Sequence, residues 1–281
     1  MAQSMEPRAY ANVPVGLNFL VVAYGYSQGD VGVDSSPLQD ADTRVHTLPL
    51  VYVRSLDVLG HAGTIALLLP LAHLTATASL DGASDVRREV SGLADPGLRL
   101  AVNFHGAPAL SAAEFAAYRQ DLIVGASLYV TAPFGQYDAE RLVNIGTNRW
   151  SVKPELGVSK VLGLWTVELA AGATWFSRND EFFNGNTRSQ DPLYSAQLHL
   201  TRQLGRGVWG ALSTTYYEGG RTAINGVPRD DGLAGSRLGL TLSLPVDRWN
   251  SVKLTANGGL YARTGSDFFG VGVIWQHLQM K

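Results

Sequence analysis

The sequence predicts an all-β protein, a transmembrane antiparallel up-and-down β-barrel of about 12 strands with a short helix in one connection. Three observations support this fold. Polar and apolar residues alternate in segment after segment, with charges on the polar face, as expected where lipid lies outside and a polar lumen inside. Only 16% of the 281 residues are charged, against about 25% in soluble proteins. Short and long connections alternate, which is typical of bacterial outer-membrane barrels.

The strand-like segments reach the length of roughly 9–11 residues or more that a tilted spanning strand requires. Their predicted bounds are 15–27, 43–57, 62–79, 96–106, 119–132, 147–160, 163–176, 191–203, 207–218, 234–245, 250–263 and 268–278. The first three are apolar on both faces. This pattern predicts either that one wall of the lumen is apolar or that other parts of the protein pack against that part of the lumen.

The sixth segment, 147–160, shows the clearest alternation. Arg149, Lys153 and Glu155 stand at polar positions, and Trp150 and Leu156 stand at apolar ones. Period-two alternation predicts a strand whose faces meet different surroundings. Leu-rich outer faces recur in the later segments, and the tryptophans fall near predicted strand ends, where an interfacial girdle would place them. These tryptophans are Trp150, Trp165, Trp175, Trp209, Trp249 and Trp275.

The connections predict the orientation of the barrel. Short ones lie at 58–61, 161–162, 204–206 and 246–249, and longer ones at 28–42, 80–95, 133–146, 177–190 and 219–233. An even strand number places both termini on the short-turn side, which is the periplasm. Residues 1–14 are therefore predicted to form a periplasmic N-terminal segment of a single domain, 1–281. Ala2-Gln3-Ser4 resembles a mature N-terminus left after signal-peptide cleavage, with Met1 added for expression.

One periplasmic connection is long and alanine-rich. Ser111 and Glu114 form the pattern of a capping box, which predicts a short helix within 107–118. This helix would present Phe115 and Tyr118. It is expected either to cap or plug the periplasmic mouth, with Phe115 and Tyr118 as a candidate gate, or to lie against the rim.

The composition excludes several classes of protein. The formal net charge of −2 gives no basic surface for nucleic acid. The absence of cysteine excludes disulfides and thiolate metal sites. No apolar run approaches the roughly 20 residues of a spanning helix. No cofactor or metal is expected, because the six histidines do not stand at metal-ligand spacings.

A set of short motifs resembles one known family. In order they are Pro14-Val-Gly-Leu-Asn-Phe-Leu20, Gly25-Tyr-Ser, Gly106-Ala-Pro-Ala-Leu110, Glu114-Phe, Gly125-Ala-Ser-Leu128, Ala132-Pro-Phe-Gly-Gln-Tyr137, Gly146-Thr-Asn-Arg-Trp150, Lys153-Pro-Glu155, Asp191-Pro-Leu-Tyr194 and Gly219-Gly-Arg. Together they are similar to the outer-membrane transporter family associated with the meta-cleavage pathway of phenol degradation. The resemblance implies a bacterial outer-membrane location, a small-molecule solute, and the barrel-assembly machinery as a partner during insertion. Family members commonly end on an aromatic residue, whereas this chain ends on Met280 and Lys281.

The predicted lumen carries charges that are candidates for the solute path. They are Arg99, Asp121, Arg149, Lys153, Glu155, Glu168, His199, Arg237 and Lys253. Asp121 and Glu168 are expected to pair with the ladder of Arg149, Lys153 and Glu155. Mixed charges in a confined lumen either brace the barrel or form a filter, and the excess of basic residues would favour anions.

These patterns predict uptake of small hydrophobic or aromatic compounds through the outer membrane, with anionic ones among the candidates. The remaining alternatives are a structural or adhesive barrel without transport, a barrel hydrolase acting on lipid, and a soluble sandwich. An enzyme is not expected, since there is no Gly-x-Ser-x-Gly motif, although His73 or His199 could meet a serine such as Ser195. Outer-membrane lipid and lipopolysaccharide are the expected surroundings, with acidic loops at 179–181 and 229–231 as candidate cation bridges.

Overall fold

Strands form nearly all of the regular structure in the computed structural model, which describes residues 5–30, 38–80, 84–264 and 268–280. In chain order they are β1 Leu17–Asp30, β2 Leu38–Val58, β3 His61–Leu80, β4 Ser84–Leu93, β5 Gly97–His105, β6 Leu122–Thr131, β7 Ser151–Leu162, β8 Trp165–Phe176, β9 Asn179–Phe182, β10 Asn186–Gln190, β11 Leu193–Gly205, β12 Val208–Gly219, β13 Thr222–Ile224, β14 Val227–Pro228, β15 Leu233–Pro245, β16 Asn250–Thr264 and β17 Phe268–Met280. One helical turn, α1 Ala112–Phe115, lies between β5 and β6.

Twelve of the described strands close a single antiparallel barrel. Their order around the wall is β1, β2, β3, β5, β6, β7, β8, β11, β12, β15, β16 and β17, and β17 pairs with β1 again. The closing pair runs from Leu17 opposite Met280 to Gly29 opposite Phe268. Closure satisfies the backbone groups that an open edge would leave bare in lipid. The predicted fold is confirmed, and each predicted strand overlaps one strand of the barrel.

The fourth wall strand is longer than predicted. The external half of β3, 71–80, pairs with β4, and its periplasmic half, 63–68, pairs with β5. Together, β4 and β5 therefore form one strand position in the wall. Residues 94–96, with Pro96, interrupt it. The sequence suggested a loop at 80–95 because β4 is polar and charged. A strand that extends above the lipid needs no apolar face, which explains why the pattern was missed.

A second, smaller sheet lies at the end of the barrel with long connections. It has the order β14, β13, β10, β9, and β10 pairs with β13 to join two external loops. Both loops were predicted without regular structure. Their strands have only 2 to 5 residues, too few for a periodic signal.

The two faces of the wall differ as the alternation predicts. On β15, Leu238, Leu240 and Leu242 are exposed on the outer face, whereas Arg237 on the inner face is only 1% exposed. Trp150, Trp165, Trp175 and Trp275 are exposed. Trp209 differs from the predicted girdle because its position in β12 points inward, where it is buried.

The predicted helix is shorter than expected. α1 has one turn of four residues, and no residue in it is buried. The capping box is present: Glu114 Oε2 accepts hydrogen bonds from Ser111 N (2.8 Å) and Ser111 Oγ (2.7 Å). These bonds lower the pKa of Glu114. Among the described residues no helix has the length and apolarity needed to cross a membrane.

The depth of the lipid-facing band can be tested on β15. Leu240 lies in the middle of the strand and Leu244 one residue from its periplasmic end, and both are exposed on the outer face. Leu240→Arg should lower the free energy of unfolding in lipid vesicles by about 2–4 kcal/mol, because it places a charge near the bilayer centre. Leu244→Arg should lower it by about 0–1 kcal/mol. Equal losses in denaturant titrations of the two variants would contradict this placement.

Candidate functional site

The lumen of the barrel has one polar wall and one apolar wall. The polar wall comes from β7, β8, β11, β12 and β15. Its buried inward polar residues include Lys153, Ser159, Glu168, Gln197, His199, Thr201, Ser213, Thr215 and Arg237. The apolar wall comes from β1, β2 and β3. There Val21, Val51 and Leu68 are in register and face inward, since Leu20 and Leu69 beside them are exposed to the outside. Leu68 of the apolar wall and Lys153 and His199 of the polar wall line the same cavity.

The N-terminal segment lies inside the lumen. We call residues 5–16 the lumen plug. Its backbone N–H at Arg8 donates to the carboxylate of Glu168, and Tyr10 OH donates to Glu155 Oε1 at 3.0 Å. The side chain of Asn103 donates to the carbonyl of Tyr10 at 3.3 Å. The prediction placed residues 1–14 in the periplasm, but the described part of this segment fills the periplasmic half of the barrel.

Tyr10 lies in a slot made by two glycines. A Cβ added at Gly157 would stand 2.0 Å from Tyr10 Cε2, and one added at Gly125 would stand 2.8 Å from Tyr10 Cδ1. The guanidinium of Arg99 lies 5.8 Å from the centre of the same ring. Tyr10 is 2% exposed. The slot therefore holds the aromatic ring through close backbone approach, with a cation near the ring.

The plug is also tied to the periplasmic rim. Asn12 Nδ2 donates to the carbonyl of Pro108 at 3.3 Å, and Val15 N donates to the carbonyl of Leu110 at 2.9 Å. The connection that contains α1 thus accepts hydrogen bonds that hold the plug at the periplasmic rim.

Phe115 and Tyr118 do not stand in the lumen. Their rings lie 5.4 Å apart on the rim, and Tyr118 OH donates to the carbonyl of Gly106 at 2.6 Å. Burial raises the pKa of the Tyr118 hydroxyl. The candidate gate is therefore displaced from the path. The helix is too short to reach across the mouth, and the lumen plug occupies that space.

Most of the predicted lumen charges have partners. Lys153 Nζ lies 2.7 Å from Glu155 Oε2, and Gln197 Nε2 donates to the same oxygen at 3.3 Å. His199 Nδ1 lies 2.8 Å from Ser213 Oγ. These contacts satisfy groups that would be costly to bury alone.

The remaining inward cations lie against oxygen atoms or aromatic rings. Arg237 Nη2 donates to Asn257 Oδ1 at 2.5 Å, and its Cζ lies 3.5 Å from the centre of the Phe268 ring. Lys253 Nζ lies 5.8 Å from the centre of the Trp209 ring. Arg99 Nη2 donates to Ser127 Oγ at 3.3 Å.

Two predicted residues are placed differently. Asp121 precedes β6, its side chain is 75% exposed, and it binds Lys160 Nζ at 2.5 Å on the periplasmic rim. It does not pair with the lumen ladder. Arg149 precedes β7, which begins at Ser151, so it belongs to an external loop and not to the strand. Its side chain nevertheless lines the lumen cavity.

A cavity of about 630 Å³ lies between the plug and the external loops. Tyr10 forms part of its floor, Leu68 and Phe176 lie on its sides, and Thr147 and Arg149 stand at its outer end. Glu168 and His199 also line it. Its size is within the range of about 300–1,000 Å³ that is usual for small-molecule sites.

The loop at the outer end is held by Asp95, which sequence reasoning missed. Asp95 Oδ1 accepts from Gly135 N at 3.0 Å, and Asp95 Oδ2 accepts from Thr147 N at 2.8 Å and Thr147 Oγ1 at 2.6 Å. Asp95 is 3% exposed. Tyr10, Gly125 and Gly157 were missed as well. Glycines inside strand patterns signal close backbone approach and could have indicated the slot.

The family whose sequence profile matches residues 23–276 is described as "Putative MetA-pathway of phenol degradation". The barrel is similar to the COG4313 outer membrane channel from Pseudomonas putida F1, with 24% identity, a TM-score of 0.83, and coverage of 98% of this chain and 100% of that one. It is also similar to the transport unit of the autotransporter AIDA-I from Escherichia coli, with 8% identity, a TM-score of 0.58, and coverage of 98% and 93%. No curated protein matches the chain.

The glycine slot predicts a change in conductance. Gly157→Ala should push the Tyr10 ring out of place, because the new Cβ overlaps it. We expect a several-fold higher single-channel conductance in planar bilayers. The control is Gly210→Ala on the outer face of β12, where the nearest atom to a Cβ lies at 3.7 Å. Unchanged current in Gly157→Ala would show that Tyr10 does not restrict the lumen.

Proposed function

The chain belongs to the phenol-degradation family whose profile it matches, and we propose that it is an outer-membrane channel for the uptake of small hydrophobic or aromatic compounds. Its location in the outer membrane follows from the closed barrel of twelve strands and its similarity to outer-membrane channel structures. The description of the family names the degradation of phenol, which is an aromatic compound, and this supports an aromatic solute. The likeness to the outer membrane channel from Pseudomonas putida F1 over nearly the whole of both chains supports a channel role.

The divided lumen is the observation that carries this proposal. A general porin has a polar interior open to water. Here most inward residues of β1 to β3 are apolar. The cavity of about 630 Å³ between the plug and the loops has Leu68, Phe176 and Leu193 among its apolar lining residues. An apolar wall favours solutes that leave water readily, and the opposite polar wall accommodates a single polar group.

The plug implies a step that precedes passage. Arg8 and Tyr10 occupy the periplasmic half of the lumen through hydrogen bonds to Glu168 and Glu155. A solute in the cavity must displace this segment to reach the periplasm. The segment is held by hydrogen bonds and ring contacts and forms no strand with the wall, so it can move while the wall stays closed.

One surface cluster favours a second candidate function, a hydrolase acting on lipid. On the outer face, His73 Nδ1 lies 2.7 Å from Ser91 Oγ, and His73 Nε2 lies 4.0 Å from Glu89 Oε1. A nucleophile, a base and an acid are the groups that ester hydrolysis needs. However, Glu89 is closer to Arg87, at 3.1 Å, and 4.0 Å is too long for a hydrogen bond to the imidazole. Transport is therefore the better supported function.

Ser195 does not extend the hydrolase case. It is buried on the inner face of β11, away from lipid. A structural or adhesive role remains the third alternative, and the cavity favours transport over it.

The hydrolase alternative predicts ester cleavage that depends on Ser91. If transport is the function, the protein in phospholipid vesicles should release no more fatty acid than its Ser91→Ala variant. The reason is that Glu89 does not orient His73 at hydrogen-bond distance. Titration of released fatty acid measures this. Release by the wild type that Ser91→Ala abolishes would establish the hydrolase instead.

Uptake is tested by influx into liposomes that carry the refolded protein. Benzoate, a size-matched aromatic cation such as benzamidinium, and the neutral sugar arabinose are compared against protein-free liposomes. We expect both aromatic solutes to enter faster than arabinose, because only they gain from the apolar wall.

The variant Gly157→Ala tests whether the plug causes this difference in influx between solutes. Gly157→Ala should raise arabinose influx toward that of the aromatic solutes, since it opens the periplasmic half. Equal influx of all three solutes into wild-type liposomes would make the protein a general pore. No influx from protein shown to be folded would leave the structural role.

A further inference from the structure

The outer end of the cavity contains a cation with a buried donor that lacks a hydrogen-bond partner among the described residues. Arg149 Nη2 donates to Gln190 Oε1 at 2.5 Å, but Nη1 is buried and has no partner among the described residues. Lys153, by comparison, has its counter-charge in Glu155 at 2.7 Å. Leaving a charged donor buried without an acceptor is costly, so such a group is unusual unless it serves a ligand.

A second cation and one carboxylate lie near Arg149. Burial and the charge of the neighbouring Arg188 lower the pKa of the Arg149 guanidinium. The nearby carboxylate of Asp95 attracts Arg149, but its oxygens already accept three hydrogen bonds from Gly135 and Thr147. Arg149 and Arg188 are thus two cations beside one carboxylate, and an additional carboxylate would balance the second of them.

An apolar cluster adjoins the guanidinium. Arg149 Cζ lies 4.4 Å from the centre of the Phe176 ring, and Phe176 packs with Leu193, Tyr217 and Leu233. Phe176, Leu193 and Leu233 line the same cavity as Arg149. This cluster offers a surface for a ring or a short alkyl chain.

The guanidinium is held in a fixed position before any ligand arrives. Phe176 supports its face, Gln190 binds one nitrogen, and Asp95 fixes the loop at Thr147, two residues away. A positioned planar guanidinium binds carboxylates better than a free one, because less side-chain freedom is lost.

From these contacts we propose that Arg149 and the Phe176 cluster form a binding site for an aromatic or aliphatic carboxylate at the external end of the lumen. The carboxylate accepts from Arg149 Nη1, and the apolar part of the solute packs on Phe176, Leu193 and Leu233. This inference rests on the proposed channel function and names the solute class: acids with a small apolar body. It assigns anion recognition to one loop residue, whereas the strand ladder of Lys153 and Glu155 is internally paired.

The test is calorimetric titration of the full chain in lipid nanodiscs at low salt with benzoate and with its neutral analogue benzamide. Wild-type protein should bind benzoate about 10- to 100-fold more tightly than benzamide, as expected for a buried charge-assisted hydrogen bond. Arg149→Gln should remove this preference. Arg149→Lys, which keeps the charge but not the planar fork, should retain part of it.

A matched control lies in the same loop. Arg141 is exposed and stands 4.0 Å from Asp138, and Arg141→Gln makes the same change in charge outside the cavity. It should bind benzoate as the wild type does. Equal affinity of the wild type for benzoate and benzamide, or a preference that survives in Arg149→Gln, would overturn the site. If Arg149→Gln does not fold, the site is tested by comparing the affinities of the wild type and of Arg149→Lys for benzoate and for benzamide.

The two proposals fail separately. Arg149-dependent benzoate binding without solute influx into liposomes would keep the site and reject the channel. Influx of aromatic solutes without any benzoate preference would keep the channel and reject the site.

Discussion

The pairing of backbone groups in lipid is the constraint on which this structure depends. Hydrocarbon offers no partner for an N–H or C=O group, so the sheet must close on itself. The pairing of β17 with β1 completes that closure over nearly the full length of both strands. Closure separates two faces with different solvents, and it creates an enclosed inner face whose polar groups need partners. The plug and the paired charges of the wall supply those partners.

The inner wall obtains several of its partners from the chain itself. Glu155 pairs with Lys153 on the same strand, and the plug supplies further donors to the two carboxylates, Tyr10 OH to Glu155 and Arg8 N–H to Glu168. A buried carboxylate without such donors would be costly. The same contacts that occlude the lumen thus stabilise its charged wall, which couples the closed state to the electrostatics of β7 and β8.

The fold could be predicted largely from the sequence, because lipid on one face imposes a strict two-residue period. Glu168, His199, Arg237 and Lys153 were assigned inward by that period alone. The prediction for Asp121 was wrong because this residue lies just before β6, where the two-residue period no longer applies. The plug could not be predicted: residues 5–16 have no periodicity, and Tyr10 meets Glu155 across 145 positions. Asp95 was hidden because a strand interruption looks like a loop in sequence.

The plug also has a mechanical consequence for the barrel. It leads directly into β1, and the backbone N–H of Arg8 binds Glu168 on β8, which lies on the opposite side of the wall in the strand order. The segment is therefore a tie across the diameter. Such a tie opposes elongation of the cross-section along its own direction. Release of Arg8 and Tyr10 from the wall would remove that restraint, so the plug links passage through the lumen to the range of shapes open to the barrel.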